Sequence, residues 1–328
     1  MPDLAVSLDD MTMQCAQYDR YGGPEVVVLR AATLPEPGRG QLLVRIHAAA
    51  LNPKDLLVQA GRTQLYRWMV GPRFPKRVGY DWSGEVVAAG PGVTGHALGD
   101  ARFGMIDSWA AGACASHAIV EVGELACKPA ALSWEEAAAV PLAAQTALQA
   151  LRDIAQVRAG ERVLINGASG GVGTFAVQIA KLLGARVTAV ASARNAELVT
   201  SLGADDFIDY ATTELASAGL HDVFFDVYGN RSFAIAAPML SPRGIYISTV
   251  PKGHVLRALA TTLVRRKRAR LARVRSRAAD LATLAAWLER GTLRPVIDRV
   301  FPLAELAAAE QLLGSRRARG KIVLRMPG

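Results

Sequence analysis

Residues 161–192 read ERVLINGASGGVGTFAVQIAKLLGARVTAVAS, and this stretch decides the fold. Arg162–Asn166 is short and rich in β-branched and aliphatic residues, as a strand buried on both faces requires. Glycines follow at 167, 170, 171 and 173. From Phe175 to Leu183 apolar residues recur at helical spacing (Val177, Ile179, Ala180, Leu183), and Ala185–Ala191 is a second buried strand. Strand, glycine turn, helix and strand make a βαβ unit whose turn opens the helix. A pyrophosphate must approach such a backbone closely, which side chains would prevent. The helix start then offers unpaired N–H groups and the positive end of a dipole. Tight turns use glycine for steric reasons alone, so these glycines gain their weight from standing between a strand and a helix. The candidate phosphate contacts are Ala168, Ser169, Gly170, Gly171, Val172 and Gly173.

The end of the second strand selects the dinucleotide. An NAD site usually places an acid there, about 20 residues on, to bind the adenine ribose hydroxyls. This chain has Ser192, Ala193, Arg194 and Asn195, with Glu197 already in the next helix. A hydroxyl and a guanidinium suit a 2′-phosphate, because Arg forms forked, charge-assisted bonds to phosphate oxygens. NADPH is therefore expected as cofactor.

Outward from this unit the alternation continues. A helix is expected at Asn195–Leu202, a strand at Phe207–Ile208 and another at His221–Val227. A helix at Phe233–Leu240 follows, then a turn at Ser241–Gly244 and a strand at Ile245–Val250. The pattern predicts a doubly wound parallel sheet. Residues 14–130 differ, with short strand-like runs (Val26–Leu29, Leu42–His47, Gly84–Ala88, His117–Val122) broken by Pro/Gly turns. That texture predicts an irregular, mainly antiparallel β domain. A last strand, Lys321–Leu324, is placed to return and complete it.

The 328 residues are 51% hydrophobic and 20% charged, enough for two cored domains and unlike a disordered chain. The acidic start MPDLAVSLDD does not resemble a secretory signal, and no apolar run reaches bilayer-spanning length. Three scattered cysteines (Cys15, Cys114, Cys127) fit reduced thiols in a cytoplasm, the expected location. The net charge of +9 is local, since Arg265–Arg277 alone carries eight basic residues and no acid. The rest of the chain is near neutrality.

Several linked motifs occur in order: YGGPEVVVLR, LNPKDLLVQAG, VGYDWSGEVVAAGPGV, GDARFG, ALSWEEAAAVPLAAQTALQAL, NGASGGVGTFAVQIAK, LGADDFIDY and LRPVIDRVFPLAELAAAEQLL with RARGKIVL. Across about residues 13–326 the chain resembles the quinone oxidoreductase (zeta-crystallin-like) branch of the medium-chain dehydrogenases/reductases. The resemblance implies a GroES-like catalytic domain split around a Rossmann domain, with the active site in the cleft between them. The expected divisions are an extension at 1–12, a first catalytic part at 13–137, the Rossmann domain at 138–276 and a returning part at 277–328. A homodimer through the Rossmann domains is implied too, with an edge strand expected at Leu271–Arg275.

Alcohol-dehydrogenase relatives hold catalytic zinc through a Cys near the NPKD position and a His in a GHE motif. Here those places carry Asn52–Asp55 and Gly79-Tyr80-Asp81, and the four-cysteine structural lobe is missing. Zinc needs thiolate or imidazole ligands, so a metal-free enzyme is expected. Without a Lewis acid for an alkoxide, hydride transfer to a quinone or an α,β-unsaturated carbonyl is the favoured chemistry. The protein then supplies positioning and donors for a developing oxyanion. By resemblance Asn52 lies near the nicotinamide and the substrate carbonyl, where its amide would donate. Asp55 is a second candidate, or the cap of a helix start. Tyr66 and Tyr80 are candidate proton donors or pocket walls. Relatives often carry a Tyr where this chain has Leu57, which leaves water as a proton source. The resemblance adds Thr146 facing the nicotinamide, Thr249 and Val250 on the cofactor, Tyr210 beside the 2′-phosphate, and Arg316 closing over it, with Arg317 and Arg319 as competitors.

Two alternatives stand beside this reading. An enoyl-thioester reductase would need a basic pocket mouth, for which Arg62, Arg67, Arg73, Lys76 and Arg77 are candidates. A nucleic-acid- or membrane-associated protein retaining a dinucleotide fold would use Arg265–Arg277, a run that also suits a solvated connector.

Overall fold

The computed structural model describes residues 12–62, 67, 71, 73–108, 111–250 and 267–327. The expectations on residues 1–11, on Tyr66 and on Arg265 and Arg266 lie outside them. Two compact units result. One takes the described residues up to Leu142, Ser276–Arg290 and those from Ile297 on; the other takes Ala143–Arg275 and Gly291–Val296.

The first unit is built on the long strand β3 (Gln41–Leu51), where eight of eleven side chains are buried because both faces are covered. β1 (Thr12–Tyr18) and β2 (Val28–Thr33) precede it and form a small sheet with β4 (Lys76–Arg77). β5 (Asp81–Ala89), β6 (Ala101–Met105), β7 (His117–Glu121) and β8 (Leu125–Cys127) extend the large antiparallel sheet around β3. Two short helices, α1 (Pro53–Gln59) and α2 (Trp134–Ala138), lie along this part, and α3 (Pro141–Leu148) leads into the second unit. Trp82, Leu42, Ile46 and Leu324 are nearly or fully excluded from solvent in one common core.

The second unit is a six-stranded parallel sheet. Its strands are β9 (Arg162–Asn166), β10 (Arg186–Ala191), β11 (Asp206–Asp209), β12 (His221–Asp226), β13 (Leu240–Ser248) and β14 (Arg268–Leu271). They lie in the order β11-β10-β9-β12-β13-β14, which reverses direction between β9 and β12. In open α/β sheets such a reversal opens a crevice at the carboxyl ends of the strands, where ligands bind. α4 (Gly171–Leu182) and α5 (Ala196–Ser201) connect the first three strands. Val163, Leu164, Ile165, Phe224 and Phe225 are fully buried, which explains their unbroken apolar runs.

Three expected elements change. The helix from Phe233 ends as α6 (Phe233–Ala236) and tightens into a 3-10 turn, because Pro238 has no N–H to continue it. Ser241–Gly244 is no turn between elements but an irregularity inside β13, where the pairing with β12 jumps from His221–Leu240 to Val223–Ile245. The edge strand is Arg268–Leu271, not Leu271–Arg275; it pairs with β13 and turns Ala269 into the core.

After the second unit the chain returns through α7 (Ala278–Glu289), β15 (Ile297–Pro302), α8 (Leu306–Gly314) and β16 (Lys321–Arg325). β16 pairs antiparallel with β3, so the C-terminal strand sits inside the first unit's main sheet. β15, which the sequence had not suggested, pairs parallel with β16.

Candidate active site and cofactor cradle

The glycine turn is pinned before it can hold anything. Gly167 and Ala168 both donate to Val190 O at the end of β10 (3.0 and 3.1 Å). Gly167 has φ +88, a left-handed value that favours glycine. A Cβ at Gly173 would lie 2.1 Å from Gly167 O, so helix and strand pack there at backbone distance. A Cβ at Gly170 would meet only Gly167 O at 3.6 Å, which leaves its face open. Gly171 and Val172 begin α4 behind it. An open backbone surface at the start of a twelve-residue helix fits a pyrophosphate.

The flanks are ordered by side chains that sequence reading overlooked. Asn195 Nδ2 donates to Ser169 Oγ (3.0 Å) and to Ser192 Oγ (3.1 Å), tying the glycine turn to the end of β10. Arg194 beside it is exposed, and Tyr210, just past β11, is 56% exposed. On the other side, buried Asp226 accepts from Asn166 Nδ2 (2.7 Å), the N–H groups of Gly229 and Arg231 (both 2.9 Å) and Tyr246 OH (3.1 Å). This carboxylate fixes the loop after β12, and Tyr228 within it packs against Gly167. Thr249 Oγ1 donates to Val227 O (2.8 Å), and Val250 packs on Gly229, so both lie beside the same loop. Thr146 is nearly buried on α3. Arg316 belongs to the first unit, in a left-handed conformation just after α8.

In the first unit the NPKD segment opens α1. Asn52 is 2% exposed and its amide is engaged at both ends. Lys321 Nζ donates to Asn52 Oδ1 (2.6 Å) and to Asp81 Oδ2 (3.0 Å). Asn52 Nδ2 donates to the same Asp81 oxygen (3.0 Å) and toward Ala50 O (3.3 Å). Asp81 Oδ1 accepts from the N–H of Leu142 at the start of α3 (2.8 Å). Both amide hydrogens of Asn52 thus face protein acceptors. Asp55 is likewise a cap: its Oδ2 accepts the Asn52 N–H (2.6 Å), and burial pushes its carboxyl up to about 7. Tyr80 is 1% exposed, with a hydroxyl that has no partner among the described residues. Burial, then the nearby Asp55, hold that phenol well above its ordinary value. Of the basic candidates for a thioester mouth, Lys76 is buried and donates to Gly71 O and Arg73 O (2.7 and 2.8 Å). Arg67 donates to Gly61 O (2.9 Å) and lies over Tyr21.

Residues 38–125 match the family described as alcohol dehydrogenase GroES-like domain, and residues 202–324 that described as zinc-binding dehydrogenase. The chain is 33% identical over 327 residues to the chloroplastic quinone-oxidoreductase QR1 of Triphysaria versicolor, covering 95% of this chain and 98% of the relative. The chain belongs to the quinone oxidoreductase family. Its fold matches the structure of the quinone oxidoreductase from Coxiella burnetii with a TM-score of 0.90, at 31% identity and over 97% and 100% of the two chains. It is also 31% identical over 357 residues to the mitochondrial NAD(P)H oxidoreductase RTN4IP1 of Mus musculus, covering 93% and 87%. This family uses a nicotinamide cofactor, which the cradle fits.

The zinc implied by one of those descriptions fits less well. The two segments that would supply ligands offer an engaged amide, Asn52, and a phenol, Tyr80. Between them Lys54 sets its ammonium 3.6 Å above the Tyr80 ring, a like charge that repels a cation. Among the described residues no three His, Cys, Asp or Glu side chains gather as a ligand set.

A second buried acid lies behind α1. Glu310 on α8 accepts from Gln59 Nε2 (3.0 Å), while its other oxygen has no partner among the described residues. Burial, with the Asp55 charge adding, raises its carboxyl to about 7. The folded state thus favours the protonated acid. Stability is full below the unfolded value near 4.5 and is lost as pH rises toward 7. Glu310→Gln keeps the Gln59 bond and removes the charge. It is expected to stabilise the protein by about 3 kcal/mol at pH 8 and by less than about 1 kcal/mol at pH 5. Urea unfolding at the two pH values measures this, and an equal gain at both would reject the ionisation argument.

Proposed function

We propose that this quinone oxidoreductase reduces quinones or α,β-unsaturated carbonyls with NADPH, without a metal ion. The observation that carries the cofactor choice is the end of β10, where Asn195 holds Ser192 and Ser169 beside the exposed Arg194 and no carboxylate intervenes. A guanidinium and hydroxyls there favour a 2′-phosphate over a bare ribose. The bound cofactor supplies a hydride. The residues of this chain hold the dinucleotide and order the glycine turn.

Support for the acceptor class comes from the named relatives. Of the five cations of the enoyl-thioester alternative, Lys76 is buried and bonds within the first unit. Within the basic run, Arg268 and Arg270 are in β14, and the Arg275 backbone exchanges hydrogen bonds with the Gln149 side chain. No described helix is long and apolar enough to cross a membrane.

Turnover of a panel of quinones, enals and enoyl thioesters, with NADPH or NADH and after dialysis against a strong chelator, tests the reading. NADPH is expected to bind at least tenfold tighter than NADH, roughly 1.4 kcal/mol. Arg194→Ala should erase most of that margin and leave NADH binding unchanged. Equal loss for both dinucleotides rejects the 2′-phosphate role, and activity abolished by the chelator rejects the metal-free reaction.

A further inference from the structure

Asn195 stands just before α5, at the position where an asparagine ordinarily caps a helix, yet its side chain makes no cap bond. In that place the side-chain oxygen usually accepts an N–H of the first turn. Here the amide is turned to another use. Nδ2 donates to Ser169 Oγ (3.0 Å) and Ser192 Oγ (3.1 Å), while Oδ1 is buried with no partner among the described residues. The Asn195 N–H donates to Ser192 O (2.8 Å), which closes the turn that carries the side chain. A buried oxygen without a donor is costly, so the forgone cap needs a reason. Asn195 is 5% exposed, whereas both serines are only partly buried and within reach of a ligand.

Hydrogen-bond direction supplies the reason. A hydroxyl oxygen that accepts from an amide keeps its own hydrogen to give away. We propose that Asn195 sets the dinucleotide preference, by directing the Ser169 and Ser192 hydroxyls as donors toward the place of the 2′-phosphate. This rests on the NADPH reading given above.

An ionised phosphate oxygen only accepts, so it takes each bond these hydroxyls offer. A ribose 2′-hydroxyl has a hydrogen of its own to place. Asn195 Oδ1, the acceptor that would suit it, is sealed from solvent. The end of β10 therefore favours one ligand and leaves the other with an unmet bond, and discrimination between close analogues draws on both effects. One amide also links the two places that a dinucleotide spans, since Ser169 lies in the glycine turn and Ser192 ends the second strand.

The test uses adenosine 2′,5′-bisphosphate and 5′-AMP, which carry the adenosine ends of NADPH and NADH, with calorimetry on the full chain. Wild type is expected to bind the bisphosphate about tenfold tighter or more. Asn195→Ala should cut that ratio about fivefold or more and leave 5′-AMP binding within about twofold. It loses no cap bond, so its melting temperature should stay near wild type. Asn195→Asp should go further and favour 5′-AMP, because a carboxylate accepts both serine hydrogens and turns lone pairs outward. The decisive measurement is non-additivity. In a chain already carrying Ser169→Ala and Ser192→Ala, adding Asn195→Ala should change the ratio by less than about twofold, since the amide then has nothing to direct. A wild-type ratio kept by Asn195→Ala, an equal loss for both ligands, or a full further loss in the serine-free chain overturns the role of Asn195. Each of these leaves the wild-type preference standing, so it is distinct from a failed NADPH reading, which would show as a wild-type ratio near one and overturn both.

Discussion

Lys321→Met is expected to cost about 3–5 kcal/mol of stability, because it strands a carboxylate in the interior. Asp81 is 0% exposed, and Lys321 Nζ stands 3.0 Å from its Oδ2. The remaining bonds to that carboxylate, from Asn52 Nδ2 and the Leu142 N–H, carry no full charge. A drop in melting temperature of roughly 10 °C corresponds to that loss in a protein of this size. Asp81→Asn in the same chain should recover part of it, since no buried charge is then left alone. A melting shift under about 2 °C for Lys321→Met would show that the pair contributes little. The same substitution frees Asn52 Oδ1, so a looser start to α1 accompanies the loss.

Gly173→Ala is expected to weaken NADPH binding more than a hundredfold, an effect of at least about 2.7 kcal/mol. The new methyl group would sit 2.1 Å from Gly167 O and 2.7 Å from the carbonyl carbon of Ala168. Neither atom yields easily, because Gly167 and Ala168 are both tied to Val190 O. α4 must then tilt away from β9 and take its first N–H groups off the phosphate position. Fluorescence titration measures the affinity. Gly170→Ala is the control, since its methyl group meets only one atom at 3.6 Å. Similar losses at both positions would mean that steric closeness at Gly173 is not the cause.

The sequence shows the second unit best where burial on both faces leaves unbroken apolar runs. Arg162–Asn166 and its neighbours match the observed strands within a residue or two for that reason. Ser241–Gly244 misleads because its residues have turn chemistry, yet parallel pairing on either side carries β13 through it. The edge strand shifts because Arg and apolar residues alternate along 268–275 in more than one register, and only contact with β13 selects one. β15 hides because five of its six side chains retain some exposure and no apolar stripe forms. At the site, backbone-driven parts were legible: the glycines and the missing acid after β10. Lys54, Asp81, Lys321 and Glu310 were not assigned roles, since lysines and acids are surface residues by default and their burial depends on distant partners. The Asn52 amide shows the same limit, because its motif announces a site while its bonds are set 29 and 269 residues away.

The place of β16 inside the first sheet bears on how the chain is made. Asp81 leaves the ribosome 240 residues before Lys321, its buried counter-charge. At ordinary rates of translation, about 5–20 residues per second, that interval is roughly 12–50 s. Throughout it the β3 edge that accepts β16 stays open and Asp81 stays hydrated. The stretch from Ala143 to Arg275 has its own sheet complete well before then. Vectorial synthesis therefore favours the middle of the polypeptide maturing ahead of its beginning, and leaves an unpaired strand for a chaperone to shield until the final few dozen residues emerge.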